Sequence, residues 1–205
     1  VFIESIAGNI RNEKRKYDLE RVKLRQESTI DLVQRIGATV NLYKLLDILG
    51  DEIVNIGSFD GYLINLIDKD NQNLVCEKIT LPDEYEGIEQ TYLKFKYPLY
   101  TPDANVEAYR HRKSVMFDKS DIPNNQGSTK TQFIGWKMKS LAVIPINYLD
   151  TAIGTVMVFR QKAQISPNLV SRISALLQLF SGQIKNSIYF TGLQEIEERL
   201  KTAEG

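Results

Sequence analysis

The sequence predicts a mixed α/β (α+β) domain, a central antiparallel sheet with helices on both faces, held between two long helices. Three observations carry this. Residues 1–36 and 166–203 read as long, charge-rich helices. Strand-like runs come as two neighbouring pairs, 62–67 with 74–80 and 141–147 with 153–160. A loop-rich insert separates the pairs.

The first helix, from Val1 to Ile36, contains no proline and one glycine, Gly8. Between Arg11 and Glu27 it holds seven Lys/Arg and four Asp/Glu. Apolar residues recur at Ile3, Ile6 and Ile10, then at Leu19, Val22, Val33, Ile36 and Val40, with Gln26 and Thr29 at intervening positions. Spacings of three and four over such a length read as a coiled-coil seam with a phase slip near Tyr17. A lone solvated helix, or disorder, across residues 11–27 is the alternative that a run of charges leaves open.

Asn41 is positioned to cap a second helix through Leu45, Leu46, Leu49, Ile53 and Val54, and Gly57 with Asp60-Gly61 ends it. Tyr62–Ile67 and Leu74–Thr80 form a hairpin across the polar turn 68–73. Residues 81–87 are expected as loop and 91–99 as extended chain. Pro102-Asp103 introduces a short helix through Tyr109, followed by a brief strand at Val115–Phe117. The stretch 118–130, rich in Asn, Ser, Gly and Asp, reads as a mobile loop, and 131–138 as a short helix. Strands at Leu141–Asn147 and Ile153–Arg160 flank a turn at 148–152.

Ser166-Pro167 is a strong helix start, since the serine oxygen can cap an orphan N–H and proline fits the first turn. Leu169, Ile173, Leu176, Leu177, Phe180, Ile184 and Ile188 keep a 3.6-residue rhythm, and Leu193, Ile196 and Leu200 carry an apolar trace onward. The final turns hold Glu195, Glu197, Glu198, Arg199 and Lys201 and read as a connector toward a further domain. The organisation is thus a helix over 1–40, a domain over 41–190 and a connector over 191–205.

The chain has 205 residues, 42% hydrophobic and 25% charged, which fits one globular domain with helical extensions. A formal net charge of zero speaks against a nucleic-acid surface. No run approaches the ~18 apolar residues of a spanning helix, so direct membrane insertion is not expected. With a single cysteine, Cys76, and no signal-peptide pattern, a reducing cytoplasm is the simplest location. A chain that starts at valine is expected to be a piece of a longer protein.

The order strand, strand, helical insert, strand, strand, long helix resembles the GAF domains. The residues that carry the resemblance are Asp60-Gly61-Tyr62-Leu63-Ile64-Asn65-Leu66-Ile67-Asp68 and Arg112-Lys113-Ser114-Val115-Met116-Phe117-Asp118. With them stand Ser140-Leu141-Ala142-Val143-Ile144-Pro145-Ile146 and Ile153-Gly154-Thr155-Val156-Met157-Val158-Phe159. The resemblance covers about residues 30–190. It implies a regulatory module rather than an enzyme, often dimeric through flanking helices, with a small-molecule cavity between the sheet and the insert.

Ligand classes sort by chemistry. By resemblance, a covalent bilin needs a cysteine beside a histidine, whereas His111 follows Arg110 and Cys76 lies on a strand. Haem has only His111 as imidazole, among Arg110, Arg112 and Lys113, and zinc lacks ligand spacing. The GAF-type methionine sulfoxide reductases need more than one thiol. No metal site, catalytic residue or fixed cofactor is therefore expected; Asp83, Glu84 and Glu86 share a loop without the geometry that paired acid/base work needs. Arg160, Arg110, Arg112 and Lys113 can attract an anion, although ordinary solvated surface explains them as well.

A cyclic nucleotide, cyclic AMP (cAMP) or cyclic GMP (cGMP), is the first expectation. It needs a flat apolar wall, hydrogen-bonding groups for the base edge and N–H groups for the phosphate. The resemblance implies binding positions at Leu63, Thr80, Asn105, Val106, Tyr109, Trp136, Ser140 and Ala142. Tyr109 and Trp136 also suit the core, and Asn105 also suits a helix cap. The resembling nucleotide-binding domains carry an Asn-Lys pair, a later Phe and an Asp-Glu pair; here Arg160-Gln161, Ile165 and Asn168-Leu169 stand instead. The expected function is a cytoplasmic sensor, homodimeric through its terminal helices. It would pass ligand occupancy to an output domain such as a diguanylate cyclase, nucleotide cyclase, histidine kinase or phosphatase. A ligand-free dimerisation spacer is the rival.

Overall fold

The computed structural model describes the backbone of residues 2–119 and 121–203. Side chains of residues 2–13, 15, 21, 22, 24–26, 195, 197, 198, 200, 202 and 203 lie outside that description. The seam positions Ile3, Ile6, Ile10, Val22 and Gln26, and the connector residues Glu195, Glu197, Glu198 and Leu200, therefore fall outside the described residues, as does Ser120 in the expected loop. The chain divides into two compact units, Val1–Thr39 and Val40–Gly205.

The first unit is one helix, α1 (Phe2–Gly37). Tyr17, Leu19, Ile30 and Val33 are exposed on it, and Lys23 pairs with Glu27 one turn on at 3.9 Å. It ends where the Thr39 hydroxyl donates to the Arg35 carbonyl at 2.7 Å, satisfying one of the orphan acceptors of the last turn.

In the second unit α2 (Leu42–Ile56) starts as expected: the Asn41 side chain accepts from the Lys44 N–H at 3.0 Å. Its stripe Leu45, Leu46, Leu49 and Ile53 is buried, whereas Val54, placed on that stripe from spacing, is exposed. The hairpin follows as β1 (Gly61–Ile67) and β2 (Asn73–Thr80). Its turn is organised by Asp68, whose carboxylate accepts from the Gln72 and Asn73 N–H groups at 2.8 and 3.1 Å and from the Asn73 amide at 2.7 Å. Residues 81–99 depart from expectation. A 3-10 turn at Asp83–Tyr85 and the helix α3 (Ile88–Tyr92) precede a short strand, β3 (Lys96–Pro98). The reason is a non-local bond: the Glu89 carboxylate accepts from the Leu81 N–H at 2.6 Å and folds the segment on itself.

The insert forms α4 (Ala104–His111), β4 (Val115–Asp118) and α5 (Gly127–Gly135). Helix α5 starts four residues earlier than local composition predicts and ends before Met138. Strands β5 (Ser140–Tyr148) and β6 (Thr151–Arg160) and the 37-residue helix α6 (Pro167–Ala203) complete the chain.

The sheet has six strands in the order β3-β2-β1-β6-β5-β4, every neighbouring pair antiparallel. Strands β1 and β6 approach closely at Gly154, where a Cβ would lie 2.2 Å from the Asn65 carbonyl. Pro145 is tolerated because β4 pairs only with residues 140–143 of β5, leaving an open edge beyond. Helices α2 and α6 pack together on one face, with Ile173, Leu177, Phe180 and Ile184 of α6 buried. Helix α4 lies against β5 and β6 on the other face. There Leu63, Ala104, Ala108, Phe133, Trp136 and Phe159 belong to one apolar cluster. Burying such side chains contributes about 1.5–3 kcal/mol each.

Candidate functional site

The site candidate is the cover of α4 and α5 over the sheet. It is built from a polar clasp, an apolar interior and an outer groove.

The clasp centres on Asp103, 2% exposed. One carboxylate oxygen accepts from the Asn105 N–H at 2.9 Å and the Asn105 amide at 3.0 Å, which caps α4. The other accepts from the Ser128 hydroxyl at 2.6 Å and from the Thr129 N–H and hydroxyl at 2.9 and 2.7 Å, which caps α5. Thr129 in turn accepts from the Ala104 N–H at 3.0 Å. One carboxylate therefore holds two helix N-termini, where the helix dipoles favour negative charge. A strut continues inward: the Asn65 amide donates to the Asn105 carbonyl at 3.0 Å and to the Thr155 hydroxyl at 3.1 Å. The side-chain carbonyl of Asn65 is buried and without a partner.

Of the residues expected from sequence, the fold brings Leu63 and Trp136 together in the apolar cluster beneath the cover. Trp136 stacks on Phe159 at 5.7 Å and meets Tyr92 edge-on at 4.9 Å. Val106 and Tyr109 sit apart from them with Leu74 and Tyr97. Asn105 is engaged by the clasp and strut. Ala142 faces the opposite side of the sheet, because Leu141 and Val143 on either side of it join the cluster under the cover and side chains alternate along a strand. Thr80 is exposed and turned away by the same alternation from Ile79. Ser140 donates to the Ala163 carbonyl at 2.8 Å.

Sequence reasoning missed Gln161 as a pin. Its amide donates to the Glu84 carboxylate at 2.8 Å and to the Trp136 carbonyl at 3.1 Å, tying the 83–85 turn to the end of α5. That bond, with the Tyr85 hydroxyl and the nearby Lys137 charge, holds Glu84 below the usual carboxylate range. Also missed was a groove of about 440 Å³ between Lys119, Ile122 and Asn124 on one side and α5 on the other. Lys130, Phe133 and Ile134 line it from one face of α5, and Lys137, just past the end of the helix, joins them. The signal was legible only once α5 is known to begin at Gly127.

The end of α5 aims part of that groove. The Met138 N–H bonds the Phe133 carbonyl at 2.9 Å and the Lys137 N–H bonds the Ile134 carbonyl at 3.1 Å. This is a Schellman motif, and it places Lys137 at a left-handed φ of 49° where glycine is usual. Cys76 is buried, and desolvation, then the Glu77 charge, push its thiol up to about 12. His111 is exposed at the end of α4. Among the described residues, no group of His, Cys, Asp or Glu could hold a metal. No helix among them is long and apolar enough to cross a membrane.

No protein-family model matches the sequence, and no curated protein matches it either. Solved structures do. The GAF domain of an Acinetobacter phosphoenolpyruvate-protein phosphotransferase aligns with TM-score 0.61 and 17% identity, over 81% of this chain and 95% of its own. The GAF domain of a Bacillus halodurans two-component sensor histidine kinase aligns with TM-score 0.62 and 16% identity, over 75% of this chain and 99% of its own. That of a Coxiella burnetii phosphoenolpyruvate-protein phosphotransferase aligns with TM-score 0.64 and 11% identity, over 79% and 93%. Strand order, the helical cover and these alignments agree: the chain has the fold of the GAF domains.

Proposed function

We propose that this chain is a regulatory sensor module, without catalysis of its own, in which occupancy at the α4–α5 cover biases the packing of α6. The observation that carries the reading is the way α6 is shared. One face of its first half, with Ile173, Leu177, Phe180 and Ile184, is buried, while Leu179, Tyr189, Leu193 and Ile196 are exposed along the helix. Positions 179, 186 and 193, and 189 and 196, repeat every seventh residue, with Asn186 on the same stripe. A polar Asn within such a seam fixes register between two helices. A homodimer through α6 would thus join the sheet to an output domain, in the manner of a sensor attached to a kinase or a diguanylate cyclase. A cytoplasmic setting fits this role.

The ligand class proposed first is a cyclic nucleotide, cAMP or cGMP. A ligand preferring one α6 packing over another shifts that equilibrium, typically by about 1–3 kcal/mol. The filled interior around Trp136, Leu63 and Phe159 supports a second reading, a spacer that binds nothing. Thermal-shift measurements on the 205-residue chain with cAMP, cGMP and a metabolite panel test the two. A saturable rise in melting temperature supports the sensor; no shift with any compound leaves the spacer.

A further inference from the structure

We infer that the groove lined by Lys119, Ile122, Asn124 and α5 binds a small anion carrying an apolar or aromatic body. This extends the small-ligand reading above and rests on it for any signalling consequence. The groove's volume, about 440 Å³, falls within the range of small-molecule sites. Three lysines line it, Lys119, Lys130 and Lys137, and among the described residues no carboxylate does. Asp118 and Asp121 flank Lys119 in the chain and keep their charges, Asp118 accepting from Gln164 at 3.1 Å, but neither lines the groove. Lys137 feels Glu84 outside the groove, which tempers the excess without supplying a lining anion.

The floor is apolar. Ile122, Phe133 and Met138 contribute to it, and Ile134, 68% exposed, leaves hydrocarbon facing water. An anion seated among the three lysines gains Coulomb attraction while its body covers the hydrocarbon. The Lys130 ammonium already donates to the Asn124 side-chain carbonyl at 2.6 Å, which bridges helix and loop and leaves two donors for a ligand.

The test uses phenyl phosphate, inorganic phosphate and phenol as probes on the 205-residue chain. Binding is followed by amide chemical shifts and by the fluorescence of Trp136, the single tryptophan. Phenyl phosphate is expected to move the amides of 130–138 and to bind at least about tenfold more tightly than either fragment, because it uses both charge and floor. Lys130→Gln with Lys137→Asn is expected to weaken it about tenfold, at roughly threefold per removed charge. Asn at 137 tolerates the left-handed backbone. Ile134→Asp, at an exposed position, is expected to remove binding with unchanged circular dichroism.

Absence of phenyl phosphate binding, or equal binding by these variants, overturns the inference. If cAMP binds with shifts confined to the interior strands while phenyl phosphate is inert, the sensor reading stands and this one falls. Phenyl phosphate binding at 130–138 with no response to cyclic nucleotides keeps the groove and removes the nucleotide assignment.

Discussion

Asp103 and Thr129 hold each other's helices. The Asp103 carboxylate accepts from both the N–H and the hydroxyl of Thr129, at 2.9 and 2.7 Å, while that hydroxyl accepts from the N–H of Ala104, the residue after Asp103. Two helix starts far apart in sequence are thus closed by one reciprocal contact. Asp103→Ala leaves several buried donors unpartnered and is expected to cost about 3–4 kcal/mol. Asp103→Asn is expected to cost about 2 kcal/mol, because its NH₂ cannot accept from the Thr129 N–H. Urea denaturation gives the size. Hydrogen exchange gives the place: the amides of 104–111 and 127–135 should lose protection before those of β1 and β6, and uniform loss would contradict a local clasp.

That contact also explains what the sequence concealed. The strands, the Asn41 cap and the Ser166-Pro167 start are written locally, in alternation and in capping residues, and they were legible. Helix α5 was read as starting at residue 131, because Asn, Ser and Gly before it signal loop; its actual cap is Asp103, some 25 residues upstream. Helix α3 is held by a shorter-range contact, the Leu81 N–H to Glu89 carboxylate bond, which no local cap pattern announces. The site suffered twice over. The resemblance implies Thr80 as a binding position, whereas Ile79 and Leu81 on either side of it face the cover and Thr80 is exposed. The groove edge formed by Lys130, Phe133 and Ile134 could not be seen without the helix that aligns them.

Lys137 offers a separation of stability from binding. Its φ of 49° costs a non-glycine residue roughly 1–2 kcal/mol, of which glycine's greater unfolded-state freedom returns part. Lys137→Gly is therefore expected to raise stability by about 0.5–1 kcal/mol in urea melts, while weakening phenyl phosphate binding. A destabilised variant would mean that the lysine side chain contributes packing that outweighs its backbone strain.

Cys76 reports on opening of the sheet. Burial first, and the Glu77 charge second, raise its thiol from an ordinary 9.0 to about 12 in the folded chain. The folded state thus keeps its proton where the unfolded state loses it. The associated stability is complete below pH 9 and falls as pH rises toward 12, by up to about 1.4 kcal/mol per pH unit. Alkylation at pH 8 should be slow in the native chain and accelerate in step with urea unfolding. Labelling at the unfolded rate without denaturant would place the thiol in an accessible position instead.

Trp136 separates core from contact. It is 3% exposed, stacked on Phe159 and edge-on to Tyr92, so Trp136→Ala is expected to cost about 3–5 kcal/mol. Trp136→Phe keeps an aromatic surface and should cost about 1–2 kcal/mol. The two variants divide the possibilities when stability and phenyl phosphate affinity are measured together. If the ring is core, affinity in Trp136→Phe stays within twofold of the parent, because the groove is lined by the neighbouring Phe133, Ile134 and Lys137 rather than by the indole. If affinity falls tenfold while stability barely changes, the indole touches the ligand, and the cover must open inward to admit it.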